Sequence, residues 1–293
     1  MWGVIKTDLR KSLLSVNFLL SCTVMLTLIF SAGTGSAEHL SEEYSILGLI
    51  FKTNKDIWLT YESFSAESMF LCGFLNQWIG IFIPFLAAFA CVPIFCDEFN
   101  SNYWRHSVGR IGVRKYIGSK FFCSIIVSFA LIIICYTVFA AVCFGVFPSY
   151  EQYAEGVFRK PWYEYYGFMR IFNSKNHALF IVLKILSSSI VASVGGLFCL
   201  VISGITMNKY ISLGIPVLIY FFFAQVSFSL TNTGNQEDVK FVFLNNSSRF
   251  ATIDNWFTEY TNLPLLLAYL YFFTVGLLFF TVYFLVLKRR LRQ

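Results

Sequence analysis

From Phe121 to Phe147 the chain carries no Asp, Glu, Lys or Arg. It is one of several apolar stretches of about 20 residues or more, the length of helix that crosses a ~30 Å hydrocarbon core. These stretches lack the period-two polarity of barrel strands, so the expected structure is helical. Charged residues are only 13% of the chain and hydrophobic ones 57%. A soluble protein carries roughly 25% charged residues. The reading is therefore an all-α integral membrane protein of six transmembrane helices, forming one transmembrane domain over 1–293.

The six spans fall at about 13–32, 69–96, 121–147, 178–205, 211–230 and 263–287. Residues 1–12 precede them as an amphipathic interface helix. Trp2, Ile5 and Leu9 share one face, with Lys6, Arg10 and Lys11 elsewhere on the turn. The apolar run from Leu13 to Ala32 exceeds the usual ~7–15 residue core of a signal peptide, which argues for a spanning helix. Pro84 and Pro93 in the second span predict either a bent, cavity-lining helix or a packing kink. Ser187 to Ser189, Ser193, Gly195 and Gly196 let the fourth span pack closely.

Three loops on the outer side cover 33–68, 148–177 and 231–262. The second is aromatic, including Tyr150, Trp162 and Tyr166, and is expected to hug the membrane surface. The third holds apolar groups too short to span, which fit re-entrant or interface-lying short helices. Its Asn245-Asn246-Ser247-Ser248 sequons are read as loop polarity.

Orientation follows from the cations. With both termini cytoplasmic, the inner segments hold 13 Lys and Arg against three acids, Asp8, Asp97 and Glu98. The positive-inside rule favours that placement, in a multi-pass protein of the cell membrane. The net charge of +6 is thus a membrane-edge signature and not one of nucleic acid.

Catalytic and cofactor chemistry find no pattern here. His39, His106 and His177 form no two-His motif, and the eight cysteines form no CxxC pair, so no metal site is predicted. Most of those cysteines lie in apolar runs as small hydrophobes; Cys72 is placed near an outer face. A nucleophile elbow and a P-loop are both missing, so the chain is read as neither an enzyme nor an ATP binder. The polar side chains of the spans are few: Asn17, Asn76, Gln77, Gln225 and Lys184 are the candidate substrate pathway. Lys184 either snorkels to the outer interface or faces a substrate carboxylate from a cavity.

One polar, basic segment stands between two long apolar runs. Residues 97–120 open on Asp97 and Glu98, pass through Phe99, Tyr103, Trp104, Arg105, His106 and Arg110, and reach Arg114, Lys115 and Lys120. An acid pair, a polar turn, an aromatic pair, an Arg and a Lys opening the next span resemble the permease subunits of bacterial ABC-2-type ABC transporters. The matching positions are Glu98, Arg110 and Lys120. That family's Gly-Thr pair is replaced by Asn100-Ser101-Asn102. Among such permeases the chain looks most like exporters of amphipathic peptides such as phenol-soluble modulins.

The resemblance implies several things. The 97–120 loop would hold a cytoplasmic coupling helix, docking on a separate ATP-binding subunit through Glu98, Phe99, Tyr103, Trp104, Arg105, His106 and Arg110. Arg114, Lys115 and Lys120 would anchor the membrane edge. Two ATPase subunits would carry ATP and Mg, and a second permease chain, alike or different, would complete the pathway. An amphipathic, peptide-like cargo suits the apolar, aromatic spans. The alternatives are lantibiotic self-protection, drug or lipid efflux, and a non-transporting membrane sensor or assembly protein.

Overall fold

The computed structural model describes residues 2–33, 45–52, 64–75, 77–149, 177–232 and 265–291. Among the described residues it is built of helices, with no β-strand beyond one isolated bridge between Gly33 and Ser45. Four helical stretches are long and apolar enough to cross a membrane: Ile79–Asn100, Val113–Val146, Ala178–Thr206 and Tyr269–Arg290. A bent pair at the N-terminus makes a fifth if taken as one span. The chain is a multi-pass helical membrane protein.

Helix α1 (Trp2–Leu13) meets α2 (Val16–Phe30) at a 55° bend. Ser15 makes the corner. Its extended backbone starts α2, its hydroxyl accepts from the Phe18 amide at 3.1 Å, and it donates to the Ser12 carbonyl at 2.7 Å. That N-cap satisfies an amide the helix start leaves orphaned.

The described part of 33–68, expected as a polar loop, includes helix. It contains a short helix, α3 (Ile46–Lys52), whose Ile46 and Leu49 are fully buried. The second span is also not one rod. It comprises α4 (Ala66–Leu75), α5 (Gln77–Phe89) and α6 (Val92–Asn100). Pro84 lies inside α5, while Pro93 sits in the first turn of α6, where its missing N–H costs nothing. The two prolines thus act differently: one sits in a helix interior and one opens a helix.

A short helix, α7 (Tyr103–Ile111), follows, and then α8 (Val113–Val146). At 34 residues α8 is about 51 Å long, well beyond the ~30 Å core. It begins eight residues before the predicted third span, because polarity ends the membrane crossing without ending the helix. The remaining helices are α9 (His177–Thr206), α10 (Lys209–Asn232) and α11 (Leu265–Arg290). α10 covers the predicted fifth span, though its side chains are described only as far as Phe222. The aromatic second outer loop and the re-entrant pair in 231–262 lie largely outside the described residues.

α9 is the hub, packing on α5, α8, α10 and α11. Small residues allow it. A Cβ on Gly195 would stand 2.4 Å from the Pro84 Cβ, and one on Gly196 would stand 2.9 Å from the Ser128 hydroxyl. Ser187, Ser188 and Ser189 are fully buried, and Ser189 donates to the Ile185 carbonyl at 2.7 Å. Between apolar helices in lipid, such close approach and dispersion supply the attraction that water supplies elsewhere. Towards the other side of α8, aromatics fill the contact with α4. Phe74 stacks on Tyr136 with ring centres 4.1 Å apart, and Gly73 makes room for the Phe139 ring. All eight cysteines are free thiols, seven of them buried; Cys72 is a core residue and not a face residue.

Candidate functional site

The segment 97–120 folds as the end of α6, all of α7 and the start of α8. Two left-handed residues delimit α7. Asn102 has φ 57°, a value that Asn tolerates better than most residues. Gly112 has φ 80°, where a side chain would be strained. Gly112 closes α7 through its amide on the Val108 carbonyl at 2.8 Å and opens α8 by accepting from the Tyr116 amide at 3.1 Å. The direction of α7 is therefore set by two tight corners.

The two faces of α7 differ. Trp104, Val108 and Ile111, at helical spacing, pack against the core cluster. Phe99 stacks on Trp104 with centres 5.4 Å apart and planes 18° off parallel. These two aromatics, expected to anchor a partner, are half-buried and also hold α7 against the bundle. Tyr103, Arg105, His106 and Arg110 form the exposed face, with Tyr103 49% exposed. Lys11 of α1 lies 4.7 Å above the Tyr103 ring.

Glu98 lies beneath α7 and not on its exposed face. It is buried, 9% exposed, in an ion cluster that joins three helices. The Lys120 ammonium, 2% exposed on α8, donates to Glu98 Oε2 at 2.5 Å and to Asp8 Oδ1 at 2.9 Å. Lys11 Nζ reaches Glu98 Oε1 at 3.1 Å. The rings of Phe95 and Tyr116 lie 4.8 Å and 5.3 Å from the Lys120 nitrogen. Two cations and two carboxylates balance, which is the condition for burying charge at all. Lys120 is thus an internal tie and not a headgroup anchor, unlike the exposed Arg114 and Lys115.

Asp8 is 6% exposed, and its Oδ2 has no hydrogen-bond partner among the described residues. Burial pushes its carboxyl above the ordinary value, against the pull of Lys120. For Lys11, burial acts downward, but the bond to Glu98 and its charge outweigh it and raise the ammonium. Sequence reading did not single out Asp8. The signal was present, since Asp8 shares a helical stripe with Ile5 and Ser12, both buried.

Other ties gather at the same end of the bundle. Lys209, opening α10, reaches Asp97 at 3.2 Å. Arg290, ending α11, donates to the Ile205 carbonyl in the last turn of α9. Arg114 and Lys115 line one pocket with Lys288. Cations from α1, α8, α10 and α11 therefore gather at one end of the helical bundle.

Of the five substrate-pathway candidates, only Asn17 and Lys184 have described side chains, and they lie on different helices, α2 and α9. Asn17 is half-buried in the first turn of α2. Lys184 lies two turns into α9 from its far end, 1% exposed, with its ammonium 5.9 Å from the Phe180 ring centre. It is enclosed by protein, so snorkelling to the interface does not describe it. Gln77 and Gln225 lie on α5 and α10 with side chains outside the described residues, as is Asn76 altogether. A groove of about 730 Å³ between α8, α9 and α11 is lined by neither Asn17 nor Lys184. No group of His, Cys, Asp and Glu among the described residues has metal-binding geometry.

Together these features define a multi-pass helical membrane protein with an exposed amphipathic helix beside a buried ion cluster. No known family model matches the chain, and no curated protein does.

Proposed function

We propose that the chain is the permease subunit of an ABC-2-type exporter, driven by a separate ATP-binding subunit. The observation that carries the reading is α7. It is a short helix set between two left-handed corners, with one face fastened to the bundle and Tyr103, Arg105, His106 and Arg110 facing out. A lever that transmits force between subunits needs that combination of stiffness and exposed anchors. The ion cluster ties α1, α6 and α8 together, so a push on α7 moves the roots of three helices as a unit.

In this reading the six spans are α2, the α4–α5–α6 series, α8, α9, α10 and α11. Both termini and α7 are cytoplasmic, following the gathering of cations at that end of the bundle. Two such chains and two ATPase subunits form the transporter. ATP and Mg act in the ATPase, and this chain has no catalytic role. The cargo is an amphipathic peptide, in keeping with the apolar, aromatic spans. Immunity to antimicrobial peptides and drug or lipid efflux use the same architecture with other cargo.

The test is a search of the adjacent reading frames for a P-loop ATPase, followed by a reconstituted complex with it. Amphipathic peptide should stimulate ATP hydrolysis. Tyr103→Ala with Arg110→Ala should abolish that stimulation while the chain keeps its thermal stability. Peptide binding without any ATPase partner or transport would instead favour a sensor.

A further inference from the structure

A basic pocket and an apolar groove lie in line along α8 and α11. The pocket, about 310 Å³, is lined by Arg114 and Lys115 of α8 and Lys288 of α11, with Ile111, Gly112 and Val113 as its floor. No acid lines it, and none of its three cations takes part in the ion cluster. The groove of about 730 Å³ lies further into the bilayer on the same two helices, bounded also by α9. An aromatic ladder joins the two. The Lys288 ammonium lies 5.6 Å from the Phe284 ring centre, Phe284 is 6.1 Å from Phe280, and Phe280 is 4.8 Å from Phe121 in the groove wall.

The spacing fits a lipid. From Lys115 to Phe121 is six residues of helix, about 9 Å, and from Lys288 to Phe280 about 12 Å. The headgroup layer on each side of the hydrocarbon core is about 5–8 Å deep. Cations placed at that height above an apolar groove match a phosphate above an acyl chain. Gly276, in the groove wall, leaves open space where a side chain would stand.

We propose that this pocket and groove bind one anionic phospholipid, its phosphate among Arg114, Lys115 and Lys288 and an acyl chain between α8, α9 and α11. A soluble phosphate would satisfy the cations but leave the groove unused, so the continuity of the two favours the lipid. The proposal does not depend on the transport reading, since it needs only a membrane and these two helices. Its consequence is a lipid wedged between α8 and α11 where α8 leaves the corner at Gly112.

The experiment uses the full chain in nanodiscs of phosphatidylcholine. Each disc contains a trace of phosphatidylglycerol bearing a photoreactive group on its acyl chain. Labelling should map to Phe121–Phe129 and Tyr269–Phe280. A cation near a membrane surface strengthens attraction to acidic lipid about fivefold. Arg114→Gln/Lys115→Gln/Lys288→Gln should therefore weaken labelling by up to about a hundredfold at low salt. Lys6→Gln/Arg10→Gln/Arg289→Gln removes the same charge from exposed sites elsewhere and should change it less than about fivefold. Gly276→Phe keeps every cation, fills the groove, and should also suppress labelling. Similar loss in both charge triples, full labelling of Gly276→Phe, equal labelling by a phosphatidylcholine probe, or displacement by millimolar glycerol phosphate would each overturn the proposal.

Discussion

Replacing Lys120 by Met isolates what the ion cluster does. The ammonium contacts Asp8 at 2.9 Å and Glu98 at 2.5 Å. At an effective dielectric of ~20, each contact is about 6 kcal/mol of gross attraction. Desolvation of the ions cancels much of that. What the substitution leaves is two buried carboxylates with only Lys11, itself 48% exposed, to answer them. Breaking a buried pair from one side costs about 3–5 kcal/mol. For a chain of this size that is a fall in Tm on the order of 10 °C. The companion variant, Asp8→Asn/Glu98→Gln/Lys120→Met, removes the charges together and should recover most of the loss, because neutral groups need no ammonium. Thermal unfolding of the purified protein in one detergent compares all three. A Lys120→Met protein within about 1 kcal/mol of the parent, or a neutral triple as unstable as the single, would refute the reasoning.

Other predictions concern the corners, the hub and pH. Gly112→Ala forces a Cβ into the left-handed region and should cost about 1–2 kcal/mol, with a larger loss of ATPase coupling than of stability. Gly195→Leu drives a side chain into Pro84 and should lower Tm more than Gly214→Leu, whose Cβ would meet open space. Asp8 is raised by burial above its ordinary 3.8, so its ionisation opposes folding. The contribution is fullest below 3.8 and is lost as pH rises through the higher folded value; Asp8→Asn should flatten that part of the stability profile. Lys11 is raised above 10.5, so its tie to Glu98 holds below that pH and fails as pH climbs past the folded value, which Lys11→Met would remove from the alkaline limb.

The apolar runs were legible because a bilayer leaves the backbone no alternative to a helix. Boundaries were less so. The polarity of 97–120 read as a loop, yet α6 and α8 carry helix through both its ends, since water permits a helix that the bilayer demands. α3 escaped notice because Ile46 and Leu49 make too short a stripe in a polar stretch. The site was half visible. Glu98 and Lys120 were marked by the family resemblance, but their pairing needs α6 and α8 to lie side by side, which a motif alone does not state. Asp8 comes to them from the other end of the segment's packing, 112 positions away from Lys120. That Trp104 packs partly into the bundle was not legible, because composition identifies an aromatic without saying which way α7 turns it. Lys184 looked like a snorkelling residue because depth along a helix does not reveal which neighbours enclose it.

The central claim is that the outer face of α7 meets an ATPase. The most direct measurement is a photo-crosslinking amino acid placed at Arg105 or His106 in the full chain, with Phe122 on the exposed lipid-side surface of α8 as the comparison. The chain is co-expressed with a candidate P-loop ATPase. A crosslink to that ATPase from positions 105 and 106, absent from 122, is what the account predicts. No crosslink at 105 and 106 in a membrane where both proteins are present, or equal crosslinking at 122, would contradict it.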